Sequence, residues 1–171
     1  MDVLFKTLHG SRLYGMSHEN SDYDYYTVVD KVKTAKAKFS QQTIVDDQDS
    51  VVVDFGTWIE QCKDGVPQAL EAMFSNMAVE DKITGFRTQF YAGTPSHDRY
   101  LRTIRSFIYS NKDVYKRKRH GLRLAYNFVD LKRYGRFDPT LAKDRFELIS
   151  AKAHHDSDLV YGYAMALAED G

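Results

Sequence analysis

The sequence predicts an α+β fold, with an N-terminal mixed sheet followed by a C-terminal helical bundle. Three observations predict it. Short runs rich in β-branched and aromatic residues are confined to the part of the chain before Gly56. From His97 onward, apolar residues recur at three- and four-residue spacing over long stretches. The 171 residues suffice to bury a core in one domain carrying a helical extension, with residues 1–80 as the sheet-bearing core and 81–171 as the helical region packed on it in one compact unit.

Val3 to Leu8 reads as the first strand and turns at Gly10-Ser11. Asp22 to Val29 reads as the second, and Lys31 to Lys38 as a basic connector. Thr43 to Val45 and Ser50 to Phe55 are two further strands, and Asp46-Asp47-Gln48-Asp49 between them reads as a solvated hairpin turn. Thr57 caps a helix running to Lys63, with Trp58, Ile59 and Cys62 on its inner side and Gly65 ending it. Pro67 suits the first turn of the next helix, Gln68 to Met77, whose Leu70, Met73, Phe74 and Met77 share a face. Lys82 to Gly93 shows no clear pattern. Helices are expected over His97 to Ser110, Val114 to Tyr134, Leu141 to His154 and Ser157 to Ala168, with Gly121 a weak point in the second of these.

Chemistry concentrates near the N-terminus. Asp22 and Asp24 lie two apart on a predicted strand, so both carboxylates project from one face. Two like charges held that close favour a cation between them, and hard oxygen ligands favour Mg²⁺ or Mn²⁺. Gly10 lets the backbone approach a ligand, and the Ser11 hydroxyl with nearby N–H groups suits phosphate oxygens. Asp54 ends an apolar strand, where a carboxylate needs a partner.

With Gly10, Ser11, Arg12, Gly15, Ser21, Asp22 and Asp24 in this order, the chain resembles the DNA polymerase β-type nucleotidyltransferase superfamily, and within it the small stand-alone bacterial and phage nucleotidyltransferases. The resemblance extends through Val51-Val52-Val53-Asp54, the Gly65 to Glu71 segment and the Lys118 to Gly135 helix. It implies transfer of a nucleoside monophosphate from an NTP to an acceptor hydroxyl, with pyrophosphate as the leaving group. In that reading Asp22, Asp24 and Asp54 are the metal-binding catalytic residues, and Gly10 and Ser11, with Arg12 and Lys118, hold the phosphates. Asp54 positions or deprotonates the acceptor, which is a small molecule, a nucleic-acid end or a protein hydroxyl. Three further readings stand beside it: a catalytically silent nucleotide-binding or protein-interaction module of the same fold, a nucleic-acid-directed enzyme or nucleic-acid-binding protein working through the 112–123 basic face, and an ordinary α/β interaction domain in which Asp22 and Asp24 are turn or strand-edge carboxylates.

Lys+Arg and Asp+Glu both number 24, so the formal net charge of +0 gives no bulk attraction to polyanions. A single Cys62 excludes an internal disulfide and reads as a small core residue. No stretch has the roughly 20 uncharged apolar residues of a membrane span, and no charged-then-apolar leader opens the sequence, so cytoplasmic residence is the expectation.

In the basic segment from Lys112 to Arg123, the wheel groups Lys116, Arg119 or His120, and Arg123 as a solvated polar face. Lys118 shares the apolar stripe with Tyr115, Leu122, Ala125 and Val129, which directs it either at a triphosphate or, by snorkelling, at solvent. Glu71 reads as a solvated helix carboxylate or as support behind the metal site. His9 shapes the Gly-Ser turn or packs, and Tyr26 stacks on a nucleobase or packs. His154-His155-Asp156 reads as a helix end.

Overall fold

The computed structural model describes residues 2–17, 21, 23–31, 41–45, 48–94 and 96–169, with 41–45, 48 and 49 described as backbone only. Its N-terminal part carries a mixed sheet and its C-terminal part is mostly helical, an α+β arrangement. Five strands, β1 (Val3–His9), β2 (Asp24–Val29), β3 (Gln41–Val45), β4 (Gln48–Asp54) and β5 (Ala78–Asp81), form one sheet in the order β3-β4-β2-β1-β5. Only β2 and β4 run parallel; the other neighbours are antiparallel.

The alternation that predicts β1 and β2 also sets which face is covered. Phe5, Thr7 and His9 on β1, Tyr26 and Val28 on β2, and Val51 and Val53 on β4 are buried on one face. Tyr26 therefore packs in the core, closed to a nucleobase. Asp24 shares its face but lies at the strand end, half-buried, where the cover thins.

Helices α1 (Ser11–Tyr14), α2 (Phe55–Asp64), α3 (Pro67–Met73) and α4 (Thr84–Gln89) connect the sheet elements, and α5 (Ser96–Ile108), α6 (Val114–Tyr134), α7 (Lys143–Lys152) and α8 (Ser157–Glu169) make the helical region. α2 begins two residues before the expected Thr57, because the Asp54 side chain caps it. β5 and α4 occupy the stretch around 82–93 and just before it that lacked a pattern, since an exposed edge strand and a six-residue helix bury too little for a periodic signal. The Arg87 guanidinium fixes them. It pairs with Asp81, donates to the Met73 and Ser75 carbonyls and lies 4.1 Å over the Phe5 ring.

Gly121 is no weak point. A Cβ there would sit 2.6 Å from Ile108 Cγ1 and 3.3 Å from the Ile104 carbonyl oxygen, so the missing side chain lets α5 and α6 pack closely. Phe5, Trp58, Leu70, Tyr100, Ile104, Leu122 and Val160 belong to one continuous buried core that joins the sheet to the helices. Among the described residues, no helix is long and apolar enough to cross a membrane.

Candidate functional site

Gly10 adopts φ 68°, ψ −152°, a conformation that essentially only glycine adopts without strain. Its Tyr14 N–H to Gly10 carbonyl bond of 3.1 Å closes the short helix α1, and Gly15 at φ 77° ends it. Antiparallel pairing sets His9 opposite Asp24. A Cβ on Gly10 would lie 2.5 Å from Asp24 Oδ2, so the carboxylate rests against the bare glycine. Two of the residues singled out in the sequence, Gly10 and Asp24, thus form one cradle with half-buried Ser11 at its rim. Asp22 lies outside the described residues, as do most of the Lys31–Lys38 connector and Asp46 and Asp47 of the expected turn.

Arg12 is half-buried and holds the chain ahead of β2. Its Nη2 donates to the Ser21 carbonyl at 2.7 Å, and its guanidinium lies 3.7 Å over the Tyr23 ring. Both contacts clamp the loop that returns the chain to β2 and to Asp24.

Asp54 is not brought to this cradle. Parallel pairing sets Val29 opposite Asp54, whereas Asp24 begins β2, five residues earlier. At about 3.3 Å per residue the two carboxylate positions are separated by about 16 Å along the sheet. Instead, Asp54 Oδ1 accepts the Thr57 N–H at 2.9 Å and Oδ2 accepts the Thr57 hydroxyl at 2.8 Å, a helix cap. Because Tyr25 stands opposite Ser50, the β4 position beside Asp24 is that of Asp49. Local pattern assigned Asp49 to a turn; it lies in β4, and the signal that identifies its position is the direction in which β4 runs.

Lys118 departs from the phosphate reading. It is buried, and its Nζ donates to the His155 carbonyl at 2.7 Å, beyond the C-terminal end of α7. Of the α6 face read as solvated, Lys116 is exposed as expected, Arg119 and His120 are half-buried, and Arg123 turns inward instead. Arg123, 3% exposed, places Nη1 2.7 Å from Glu71 Oε1, and Glu71 is 1% exposed. Tyr14 donates its hydroxyl to Glu71 Oε2 at 2.5 Å, and the Arg123 guanidinium lies 3.5 Å over the Tyr14 ring. This triad braces α1 from behind, with full hydrogen bonding of the carboxylate offsetting the cost of burying it. Burial and then Glu71 push the Tyr14 hydroxyl pKa well up. For Arg123, burial works to lower the pKa, but Glu71 and Tyr14 outweigh it and hold the cation.

Further rings complete the wall. His9 meets Tyr14 and Tyr26 at 5.8 Å between ring centroids, and the Gln68 amide donates to its Nε2 at 3.0 Å. His120 stands 5.9 Å from the Tyr14 ring, with Arg123 Nε 3.4 Å from its Nδ1. Burial, then the nearby cations Arg123, Lys116 and Arg119 and finally His9 lower its pKa to about 3, so the ring is neutral near pH 7.

Among the described residues no group of three His, Cys, Asp or Glu side chains converges to hold a metal ion. Asp24 in its cradle supplies one hard carboxylate. Asp54 cannot supply another at the same point. The sequence matches no protein-family model, and no curated protein matches it significantly.

Proposed function

We propose that the chain is a metal-dependent nucleotidyltransferase that moves a nucleoside monophosphate from an NTP to an acceptor hydroxyl. The observation that carries this reading is the Gly10–Asp24 cradle at the β1–α1 turn. A glycine-only backbone is pressed against a carboxylate there, with a serine hydroxyl next in sequence. The sequence resemblance supplies the reaction class. Asp24, with Asp22 two residues earlier in the sequence, suits Mg²⁺ or Mn²⁺, which on binding would neutralise phosphate charge and polarise the reacting phosphoryl group.

The chain's own residues set the geometry. Gly10 leaves room for a phosphate to approach the backbone, and the Ser11 hydroxyl can donate to a phosphate oxygen. The Tyr14–Glu71–Arg123 triad ties α1 to α3 and α6, which would hold these groups in place for an incoming triphosphate.

The test is incubation with each labelled NTP and Mg²⁺ or Mn²⁺ against RNA, DNA and small-molecule hydroxyls, reading label transfer and pyrophosphate release. Asp24→Asn should lower transfer by several orders of magnitude while leaving thermal unfolding close to that of the parent. Undiminished transfer by that variant would overturn the reading. The distance of Asp54 from Asp24 favours one second reading, a nucleotide-binding module without turnover. It shows as an NTP- and metal-dependent thermal shift with no pyrophosphate released.

A further inference from the structure

The net charge of +0 hides a strong separation of charge. Residues 96–136 hold twelve of the 24 Lys and Arg but three of the 24 Asp and Glu, a formal +9 against −9 for the rest. Distant carboxylates are screened beyond about 8 Å at physiological salt, so a polyanion approaching α5 and α6 meets the local excess.

Some of these cations face inward, as Lys118 and Arg123 do. Those of α5 do not. Arg99, Arg102 and Arg105 are exposed at three-residue spacing, a line of about 9 Å along the helix. Among the described residues none of the three forms an ion pair with a carboxylate. Arg99, Arg102, Thr103 and Ser106 line a surface depression of about 330 Å³ whose side chains offer guanidinium and hydroxyl groups and no carboxylate. On the flank, Arg105 lies 5.1 Å over the rings of both Tyr109 and Tyr161, and Tyr109 is exposed. Further exposed cations, Lys112 and Lys116, follow at the α5–α6 turn. A free phosphate needs one or two such donors. A line of them matches the repeating phosphates of a nucleic-acid backbone.

The end of α5 also packs towards α1, the helix that follows Gly10. Phe107 meets the His120 ring at 5.9 Å, and His120 meets Tyr14 of α1 at the same distance.

From this geometry we infer that the outer face of α5 docks a single nucleic-acid strand by its phosphates. Resting on the nucleotidyltransferase reading, the inference makes that strand the acceptor, with its terminal hydroxyl delivered to the Gly10–Asp24 cradle.

The experiment is fluorescence-anisotropy titration of a labelled single-stranded RNA 20-mer over a salt series, without NTP or divalent cation. It compares the parent chain, Arg99→Gln with Arg102→Gln, and the charge-matched control Lys63→Gln with Lys82→Gln. The α5 pair should weaken binding at least tenfold and flatten the slope of log affinity against log salt by about 1.4, two phosphate contacts' worth. The control pair should change affinity less than threefold. Equal losses in the α5 and control pairs would overturn the inference, because net charge alone would then explain binding. So would absence of strand binding by the parent at low salt, or recruitment to anionic phosphatidylserine vesicles in preference to RNA. None of these outcomes touches pyrophosphate release, and failure of pyrophosphate release leaves the strand titration intact, so the two readings fail separately.

Discussion

Gly10 is constrained twice, by its positive φ and by the Asp24 carboxylate against its Cα. Gly10→Ala must both strain the backbone and push that carboxylate aside. It is expected to cost about 1–3 kcal/mol by urea unfolding and to abolish the NTP-dependent thermal shift. Asp54 gives the opposite pattern. As a helix cap its loss in Asp54→Ala should cost about 1 kcal/mol of stability and leave NTP binding within twofold in a titration. If transfer needs a third carboxylate, register predicts that Asp49→Asn lowers the transfer rate at least tenfold and exceeds the effect of Asp54→Asn. The reverse order would return that role to Asp54.

At the scale of elements, α6 separates what a local pattern reveals from what it hides. Its hydrophobic period identifies the helix correctly, ending at Tyr134 as expected, but Arg123, read with Lys116 as part of a solvated face, is buried while Lys116 stays exposed. Burying Arg123 depends on Glu71, 52 residues away, and nothing in the neighbourhood of either residue encodes that pairing. The Gly10–Asp24 cradle was legible because two antiparallel strands joined by one short helix and a loop bring the motif together locally. Asp54 was misread because its place depends on whether β4 runs parallel or antiparallel to β2, which residue alternation does not encode. Two measurements follow for α6. Arg123→Met strands a buried carboxylate and should cost about 3–5 kcal/mol in urea unfolding, whereas Glu71→Gln combined with it should recover much of that loss. Lys118→Met, which removes a bond to the His155 carbonyl, should leave NTP affinity unchanged. His120 adds a pH dependence. Its pKa is about 3 in the folded chain, against an ordinary histidine value near 6.5, so the unfolded chain takes up a proton first as pH falls. Its contribution is complete above about pH 6.5 and declines towards pH 3 by at most about 1.4 kcal/mol per unit. Replacing it by Gln should flatten the fall in urea midpoint between pH 7 and pH 4.

Across the whole molecule, one core runs from Phe5 on β1 to Ala168 on α8, so the boundary expected at residue 80 separates regions of different composition within one packed body. Unfolding followed by Trp58 fluorescence and by far-ultraviolet circular dichroism should give coincident single transitions, and residues 1–80 expressed alone should not give a cooperative one. The Glu71–Arg123 bond also has a consequence for the order in which the chain is made. The Gly10–Ser11 turn and the Asp24 carboxylate are synthesised within the first few dozen residues, but α1 lacks its Glu71–Arg123 brace until the ribosome has delivered α6. At about 5–20 residues per second, the 52 residues between Glu71 and Arg123 take roughly 3–10 seconds to appear. Until then Glu71 has no cation to accompany it into the interior and stays hydrated, which keeps α1 and α3 apart. The Gly10–Asp24 turn therefore gains its buried brace only after α6 has been made.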